Sequence, residues 1–281
     1  MIITLSEKRN EKLLCEWSGE ITDEHAQDFC DVCNEVFSVH FDLDYIRRKY
    51  EANFYGRSFI VVVYKDDKPV AAQGAWRNDV DGRTAFQLCD FASVPSERKS
   101  GYIMDMSYCI HDEVRKHYPD GLLYGFPNSQ SLPITHASGW AVSKIYQRIY
   151  RGQTEDFVQN MPYISDNYVE SFALRKRNAN VLRVKDRCYI VLRCRFADVI
   201  LGGQIMGEIS TKYKSALKPV NRLRLLTYFS GRPGIFWSRQ PIHVGTYDLS
   251  LTRQVVRSVP PLYKGDGYSL DFNPAPQSIK R

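Results

Sequence analysis

Apolar and polar positions recur with two different periods along the first half of the chain. Apolar side chains that return every three or four residues predict α-helices, and β-branched or aromatic segments between polar turns predict strands. These patterns predict helices at 22–39, 42–50 and 101–118, a short helix within 127–138, and strands at 1–5, 58–64, 69–77, 84–94, 121–126 and 140–150. Short polar turns join the three strands between 58 and 94, which therefore form a predicted antiparallel meander.

The second half has weaker patterning but still mixes both element types. The predicted elements are strands on both sides of Lys185-Asp186 within 181–195, a helix at 207–218 that Pro219 ends, strands at 222–229 and 242–249, and a loop-rich tail from Val259. Helices and strands in both halves predict an α/β (α+β) chain. A soft boundary near residue 152 predicts two domains, 1–152 and 153–281, the second a smaller α/β lobe.

Charge, cysteine usage and hydropathy limit the ligands and the cellular location that we expect for this chain. The net charge of +6 fits an anionic ligand, but lysine and arginine do not cluster as a nucleic-acid stripe requires. The seven cysteines are odd in number and scattered, which favours reduced thiols in the cytoplasm. The segment Cys30-Asp-Val-Cys33 has no second pair nearby, so we expect no metal site. No run of 18 apolar residues and no secretory leader stands out, and we expect no membrane span.

The segment before the third predicted helix carries the clearest candidate chemistry. In LCDFASVPSERKSGY, residues 88–102, a strand leads through Pro95 into Arg98-x-x-Gly101, where the helix begins. A helix start presents free backbone N–H groups and positive charge, Gly101 permits close approach, and Arg98 and Lys99 add charge. The segment therefore predicts a pyrophosphate cradle. The alternative, an ordinary strand-to-helix connection with solvated charges, stays open.

This segment resembles the GNAT superfamily of acyl-CoA N-acyltransferases, in which a strand and a Pro precede Arg/Gln-x-x-Gly-x-Gly/Ala. Pro95, Arg98 and Gly101 match that pattern, whereas Ile103 replaces its last small residue. The later Asn128 and Gly139-Trp140 continue the resemblance, which covers about residues 20–150. The segments 126–131 (FPNSQS) and 50–60 look most similar to GNAT proteins from bacterial polysaccharide gene clusters.

The resemblance implies a mainly antiparallel mixed sheet flanked by helices, with two neighbouring strands that splay apart to admit the pantetheine arm of acetyl-CoA. It implies acetyl-CoA as co-substrate. The cofactor-binding residues it implies are Phe91, Ala92, Ser93, Val94, Arg98, Lys99, Ser100, Gly101, Tyr102, Ile103, Asn128 and Ser131. The second lobe would close the acceptor pocket, and a degenerate GNAT-like half is one interpretation of it.

The catalytic groups are less well defined by this resemblance. Thr135 stands where the family often has a tyrosine acid, and the adjacent His136 is the candidate substitute. Asp90 is the candidate base, with Glu97 as a weaker alternative. Asn128 would contact the arm or hold a catalytic water. The competing interpretations are a solvated helix histidine for His136 and a helix cap or Asx turn for Asn128.

Together these expectations predict an acetyltransferase that acts on an amine or hydroxyl of a small-molecule acceptor. The resemblance implies that the acceptor is an amino sugar of polysaccharide synthesis. Nucleic acid is not an expected partner, and a homodimer is left open. Two alternatives remain. One is a non-catalytic GNAT-shaped module that binds CoA or a protein partner, and the other is an aminoacyl-tRNA-dependent peptidyl transferase.

Overall fold

The structure, a computed structural model, describes residues 1–37, 40–51, 55–80, 83–164, 166, 169–170, 179–196, 200–220, 225–232 and 242–251. These residues form two compact units. The first contains the described residues up to 142 together with 245–251, and the second contains those from 143 to 244. The predicted boundary near 152 therefore falls inside the second unit, and the first unit also takes a segment from late in the chain.

The first unit is built on a mainly antiparallel sheet. Its strands are β1 (Ile2–Ser6), β2 (Glu11–Trp17), β3 (Phe59–Lys65), β4 (Lys68–Arg77), β5 (Ala85–Ser93) and β6 (Leu122–Gly125). They pair in chain order, and only β5 and β6 run parallel. Residues 245–248, the end of a later strand, add an antiparallel neighbour to β6.

Helices cover both faces of this sheet. They are α1 (Asp23–Phe37), the short α2 (Leu43–Ile46) that continues as a π-helical turn (Arg47–Glu51), α3 (Tyr102–His117) and α4 (Leu132–Ala137). The Tyr64 hydroxyl donates to Asp28 of α1, whereas Phe59 packs on Trp17 beside His117 of α3. Because side chains alternate along β3, α1 and α3 lie on opposite faces.

The second unit has further strands and a core of its own. Its strands are β7 (Ala141–Ile149), β8 (Ala179–Val184), β9 (Arg187–Phe196), β10 (Ile200–Ile209), β11 (Lys218–Pro219), β12 (Leu225–Ser230) and β13 (Ile242–Asp248), although β7 begins and β13 ends in the first unit. The helix α5 (Glu155–Gln159) inserts Phe157, which packs against Tyr150, Tyr189 and Tyr228. Burying four aromatic rings against one another gives this unit an independent apolar core.

Most predicted elements of the first unit are confirmed, but β2 was not predicted from the sequence. The predicted helix at 207–218 is wrong, because residues 207–209 belong to β10 and Thr211–Lys214 forms a 3-10 turn. A Cβ on Gly207 would lie 2.5 Å from the Pro162 carbonyl oxygen, and this close strand packing overrides the helical pattern. The predicted tail from Val259 lies outside the described residues.

Among the helices of the described chain, none combines the length and apolar character that a membrane crossing requires.

Candidate active site

A gap opens in the first sheet between β5 and β6. The two parallel strands pair only from Ala85 to Gln87 on one side and from Leu122 to Tyr124 on the other. From Leu88 onward, β5 stays paired with β4 but has no recorded pairing with β6 in the described chain. The backbone edge of β5 therefore borders a cavity of about 560 Å³.

The cavity reaches both faces of the sheet. Val36 and Phe37 line it from α1, and Ile103 and Ser107 line it from α3. Since these helices cover opposite faces, two molecules can approach the gap from opposite directions. Such an arrangement suits the transfer of a group from one bound molecule to another.

Asp90 lies at a β-bulge in the middle of the gap. The register between β4 and β5 shifts between Ala72 and Gly74, so two residues of β5 oppose Gln73. Asp90 has a φ of 51°, in the left-handed region that few residues other than glycine adopt. The extra residue breaks the alternation of the strand, so the Asp90 side chain points toward α2, like Cys89 before it.

Three donors converge on one oxygen of this carboxylate. Asp90 Oδ2 accepts hydrogen bonds from the Tyr45 hydroxyl at 2.8 Å, the Lys49 ammonium at 2.8 Å and the Tyr50 hydroxyl at 2.6 Å. The Lys49 side chain is 1% exposed, whereas Asp90 keeps 12% exposure toward the cavity. Asp90 Oδ1 has no hydrogen-bond partner among the residues that the structure describes. One oxygen is thus fixed by the protein, and the other is left for a ligand.

Burial and charge also hold the two tyrosines protonated. Desolvation raises the pKa of Tyr45 and of Tyr50 well above the usual value, and the negative charge of Asp90 raises both further. Both hydroxyls therefore remain hydrogen-bond donors to Asp90 throughout the physiological range. The carboxylate is held in one orientation by groups that keep their protons.

Local sequence explains how this cluster forms. Tyr45 and Lys49 are four residues apart and Tyr50 follows, so α2 and its π-helical extension place them together. Gly74 makes room for the cluster, because a Cβ there would lie 1.7 Å from the Tyr50 hydroxyl oxygen. The helical spacing of these three residues was the only sequence signal for the cluster, and nothing in the sequence linked it to Asp90.

The predicted pyrophosphate cradle, at residues 95–101, lies at the α3 end of the cavity. Pro95–Glu97 forms a single 3-10 turn, and Gly101 precedes α3 with a φ of 85° and no side-chain cap. The amides of the first helical residues, Tyr102 and Ile103, have no partner within the helix. Arg98 is exposed and lines the cavity, which adds positive charge to the helix start.

No family model and no curated protein matches the chain, but solved structures do match its fold. A GCN5-related N-acetyltransferase from Kribbella flavida matches with a TM-score of 0.53 and 15% identity, over 87% of this chain and 73% of that one. A second, from Anabaena variabilis, matches with a TM-score of 0.51 and 10% identity, over 84% and 73%. The chain has a GNAT-like fold. The predicted fold class is therefore confirmed.

Only some of the predicted cofactor-binding residues line the cavity. Those that line the cavity are Phe91, Ala92, Ser93, Arg98, Tyr102, Ile103, Asn128 and Ser131, whereas Val94, Lys99, Ser100 and Gly101 do not. The Tyr102 side chain is buried and donates to Glu11 at 2.6 Å, so only its backbone is available at the turn. Ile103, which replaces a small residue of the GNAT pattern, also lines the cavity.

The weaker base candidate, Glu97, is already engaged. Its carboxylate accepts from the Ser100 hydroxyl at 2.6 Å and from Lys65 at 2.9 Å. These two hydrogen bonds, the Ser100 bond first, lower the pKa of Glu97. A carboxyl with a lowered pKa is a poorer base, and the Glu97–Ser100 hydrogen bond instead holds the turn that precedes α3.

Asn128 forms the Asx turn that was its alternative interpretation. Its Oδ1 accepts from the backbone N–H groups of Gln130 and Ser131 and from the Ser131 hydroxyl, at 2.9 to 3.1 Å. Ser131 Oγ in turn accepts from the Asn128 N–H at 3.0 Å. Both residues line the cavity, so this turn shapes the cavity rim.

The predicted acid is not brought to the cavity. Thr135 lines the cavity, and its hydroxyl donates to the Ser131 carbonyl at 3.0 Å. His136 is exposed and is not part of the lining. One residue along a helix turns a side chain by about 100°, so placing Thr135 inward directs His136 away.

Among the described residues, no group of three or more His, Cys, Asp or Glu side chains is arranged to hold a metal ion.

Proposed function

We propose that the chain transfers an acyl group from acetyl-CoA to an amine or hydroxyl of a small acceptor. The observation that carries this proposal is the fixed Asp90 carboxylate, which opens into the gap between β5 and β6. The GNAT-like fold supports the assignment of the gap to an acyl-CoA.

The residues present fit such a co-substrate at three points. The uncapped start of α3 and Arg98 offer N–H groups and positive charge to a pyrophosphate. The unpaired edge of β5 offers backbone groups to the amides of the pantetheine arm. Ser93 Oγ is buried at the cavity without a hydrogen bond in the described chain. A bound polar chain would satisfy groups that the protein leaves unsatisfied.

Asp90 is the group that handles the proton in this proposal. Acetyl-CoA supplies an activated thioester whose acyl carbon accepts the nucleophile and whose sulfur leaves as a thiolate. The acceptor approaches from the α1 face, where Val36 and Phe37 border the cavity, and Asp90 Oδ1 takes the proton that its amine or hydroxyl loses. Lys49 and the two tyrosines keep Oδ2 occupied, so Oδ1 is directed at the acceptor. His136 has no part in this proposal.

The acceptor class rests on sequence resemblance. The segment 126–131 looks similar to GNAT proteins of polysaccharide gene clusters, and its Asn128–Ser131 turn forms the cavity rim. We therefore include an amino sugar as the acceptor in the proposal. A rim built from polar side chains is suited to contact a hydroxyl-rich molecule.

Binding and turnover are tested by separate measurements. Calorimetric titration of acetyl-CoA should show binding that Gly101→Trp abolishes, because the large side chain would occupy the cradle at the helix start. Gly152→Trp is the matched control, since Gly152 also has a positive φ and open space around it. If wild type binds no CoA at millimolar concentration, the proposal fails.

Turnover is followed as thiol release with a panel of amino sugars. Asp90→Asn should lower the rate by about 10²- to 10⁴-fold, the usual range for a general base. Asp112→Asn, at a carboxylate that is 79% exposed on α3, is the control and should leave the rate unchanged. CoA binding without thiol release across the panel would favour the non-catalytic module. Transfer of an aminoacyl group from aminoacyl-tRNA, with release of free tRNA and without CoA, would favour the peptidyl transferase.

A further inference from the structure

Three polar side chains in the cavity wall lack partners in the described chain. Gln73 and Ser107 are each 7% exposed, and neither side chain forms a hydrogen bond with the residues described. Gln73 Oε1 and Ser93 Oγ are fully buried and unsatisfied. An unsatisfied buried polar group costs about 1 to 3 kcal/mol, so two such atoms in one wall, beside the unpartnered Ser107 hydroxyl, indicate a ligand that satisfies them.

These three residues, the polar wall, lie on the face of the sheet opposite to the Asp90 side chain. Gln73 pairs across the sheet with Val61, which shares a face with Phe59 and therefore with α3. Ser93 pairs with Ala71, two residues from Gln73 on the same face. Ser107 comes from α3 itself.

The position of Gln73 relative to Asp90 indicates which part of a bound acyl-CoA its side chain would contact. Gln73 stands opposite the bulge, so it is level with Asp90 but on the other side of the gap. Under the proposed function, the acyl carbon must lie near Asp90 for the attacking group to lose its proton there. The acyl group then extends toward Gln73. The pantetheine arm lies along the β5 edge, and the pyrophosphate lies at the start of α3.

We propose that the polar wall binds a hydroxyl on the transferred acyl group, so that the preferred donor is a short hydroxyacyl-CoA. This inference rests on the proposed function and refines its donor. A hydroxyl both donates and accepts, so it satisfies the Gln73 amide whichever way that amide is turned. The serine hydroxyls can then complete its hydrogen bonds. A plain alkyl group would leave the side chains of Gln73 and Ser107 unsatisfied, whereas Ser93 can still bond to the pantetheine arm.

The test compares three ligands by calorimetry in the absence of acceptor: 3-hydroxybutyryl-CoA, butyryl-CoA and CoA. Wild type should bind the hydroxyacyl compound at least about tenfold more tightly than butyryl-CoA, the value of one well-placed hydrogen bond. Gln73→Leu should remove that difference and leave the affinity for CoA unchanged. Gln87→Leu is the matched control, because Gln87 is a buried glutamine of β5 outside the cavity lining.

Two results overturn the inference while the proposed function stands: equal affinity of wild type for both acyl compounds, or an equal loss of all three affinities in Gln73→Leu. Failure of wild type to bind any of the three compounds removes the proposed function and the inference together. If Gln73→Leu does not fold, Ser107→Ala takes its place and should reduce the preference for the hydroxyacyl compound severalfold.

Discussion

The two sides of the cavity differ in how their polar groups are satisfied. On the α2 side, Asp90 receives hydrogen bonds from three groups of the protein, and Lys49 is buried within that cluster. On the α3 side, Gln73 and Ser93 hold buried polar atoms with no partner in the described chain. One side is completed by folding, and under our proposal the other is completed when a ligand binds.

Under the proposed function, this difference matches two requirements of a group-transfer site. A group that handles protons must already be oriented when substrate arrives, because reorganisation during the reaction would raise the barrier. A group that selects a ligand must be left unsatisfied, because discrimination comes from hydrogen bonds that a wrong ligand cannot make. Substitutions on the two sides should therefore affect stability in opposite directions.

The largest effect should come from Lys49→Met. The substitution leaves Asp90 as a buried carboxylate without its cation, and removing one partner of a buried pair costs about 3 to 5 kcal/mol. Urea denaturation should show this loss in the free energy of unfolding. Lys12→Met is the control, because the Lys12–Asp67 pair is exposed and should contribute under about 1 kcal/mol.

The double variant Lys49→Met/Asp90→Asn sharpens this result. Removing both charges should recover part of the lost stability, since no unpaired charge remains buried. Additive losses in the double variant would contradict the coupling of the two residues.

A buried histidine behind the cavity wall should make stability depend on pH. His111 accepts a hydrogen bond from Trp140 Nε1 at 3.1 Å, and burial followed by the charge of Arg115 lowers the pKa of His111 to about 4. Between pH 4 and 6.5 the unfolded chain binds the proton more readily. The contribution of neutral His111 to the free energy of unfolding is therefore fully present above about pH 7. About 3 kcal/mol of it is lost as the pH falls to 4.

His111→Gln, which keeps an acceptor for Trp140, should remove this contribution. Urea melts of wild type and variant at several pH values measure the difference, in which the other titrating groups cancel. Parallel profiles for the two proteins would show that His111 is not responsible.

Gly74→Ala should disturb the α2 side without changing any charge. The new Cβ would displace the Tyr50 ring, and overpacking of this kind costs about 1 to 3 kcal/mol. Thiol release should fall as well, because Asp90 loses one of its three donors. Gly231→Ala is the control, since a Cβ there meets nothing within 4 Å.

The smallest effect, and one of opposite sign, should come from Gln73→Leu. Replacing an unpartnered buried amide with an apolar side chain of similar size should leave the free energy of unfolding unchanged or raise it by about 1 kcal/mol. Denaturation without ligand measures this change. A loss of 2 kcal/mol or more would mean that Gln73 is satisfied within the protein, and the contrast between the two sides would be lost.

Much of the first unit follows from local sequence. The meander from β3 to β5, α1, α3 and the turn at Gly101 were all predicted, because period, polar turns and a glycine at a helix start are properties of adjacent residues. The strand β2 was missed, and the start of the helix predicted at 207–218 is instead the end of β10, because there the pairing partner decides the conformation.

The candidate site also combines features that local sequence predicts with features that depend on tertiary contacts. The sequence by itself determined the turn that carries Arg98 and Gly101 before a helix, and it nominated Asp90 as a carboxylate near that turn. Only the tertiary structure decided that Lys49, Tyr45 and Tyr50 bond to Asp90, that His136 points away, and that Gln73 stands unpartnered across the gap. Such contacts join residues about 40 positions apart, and their distances depend on sheet register and a single bulge, which no local pattern records.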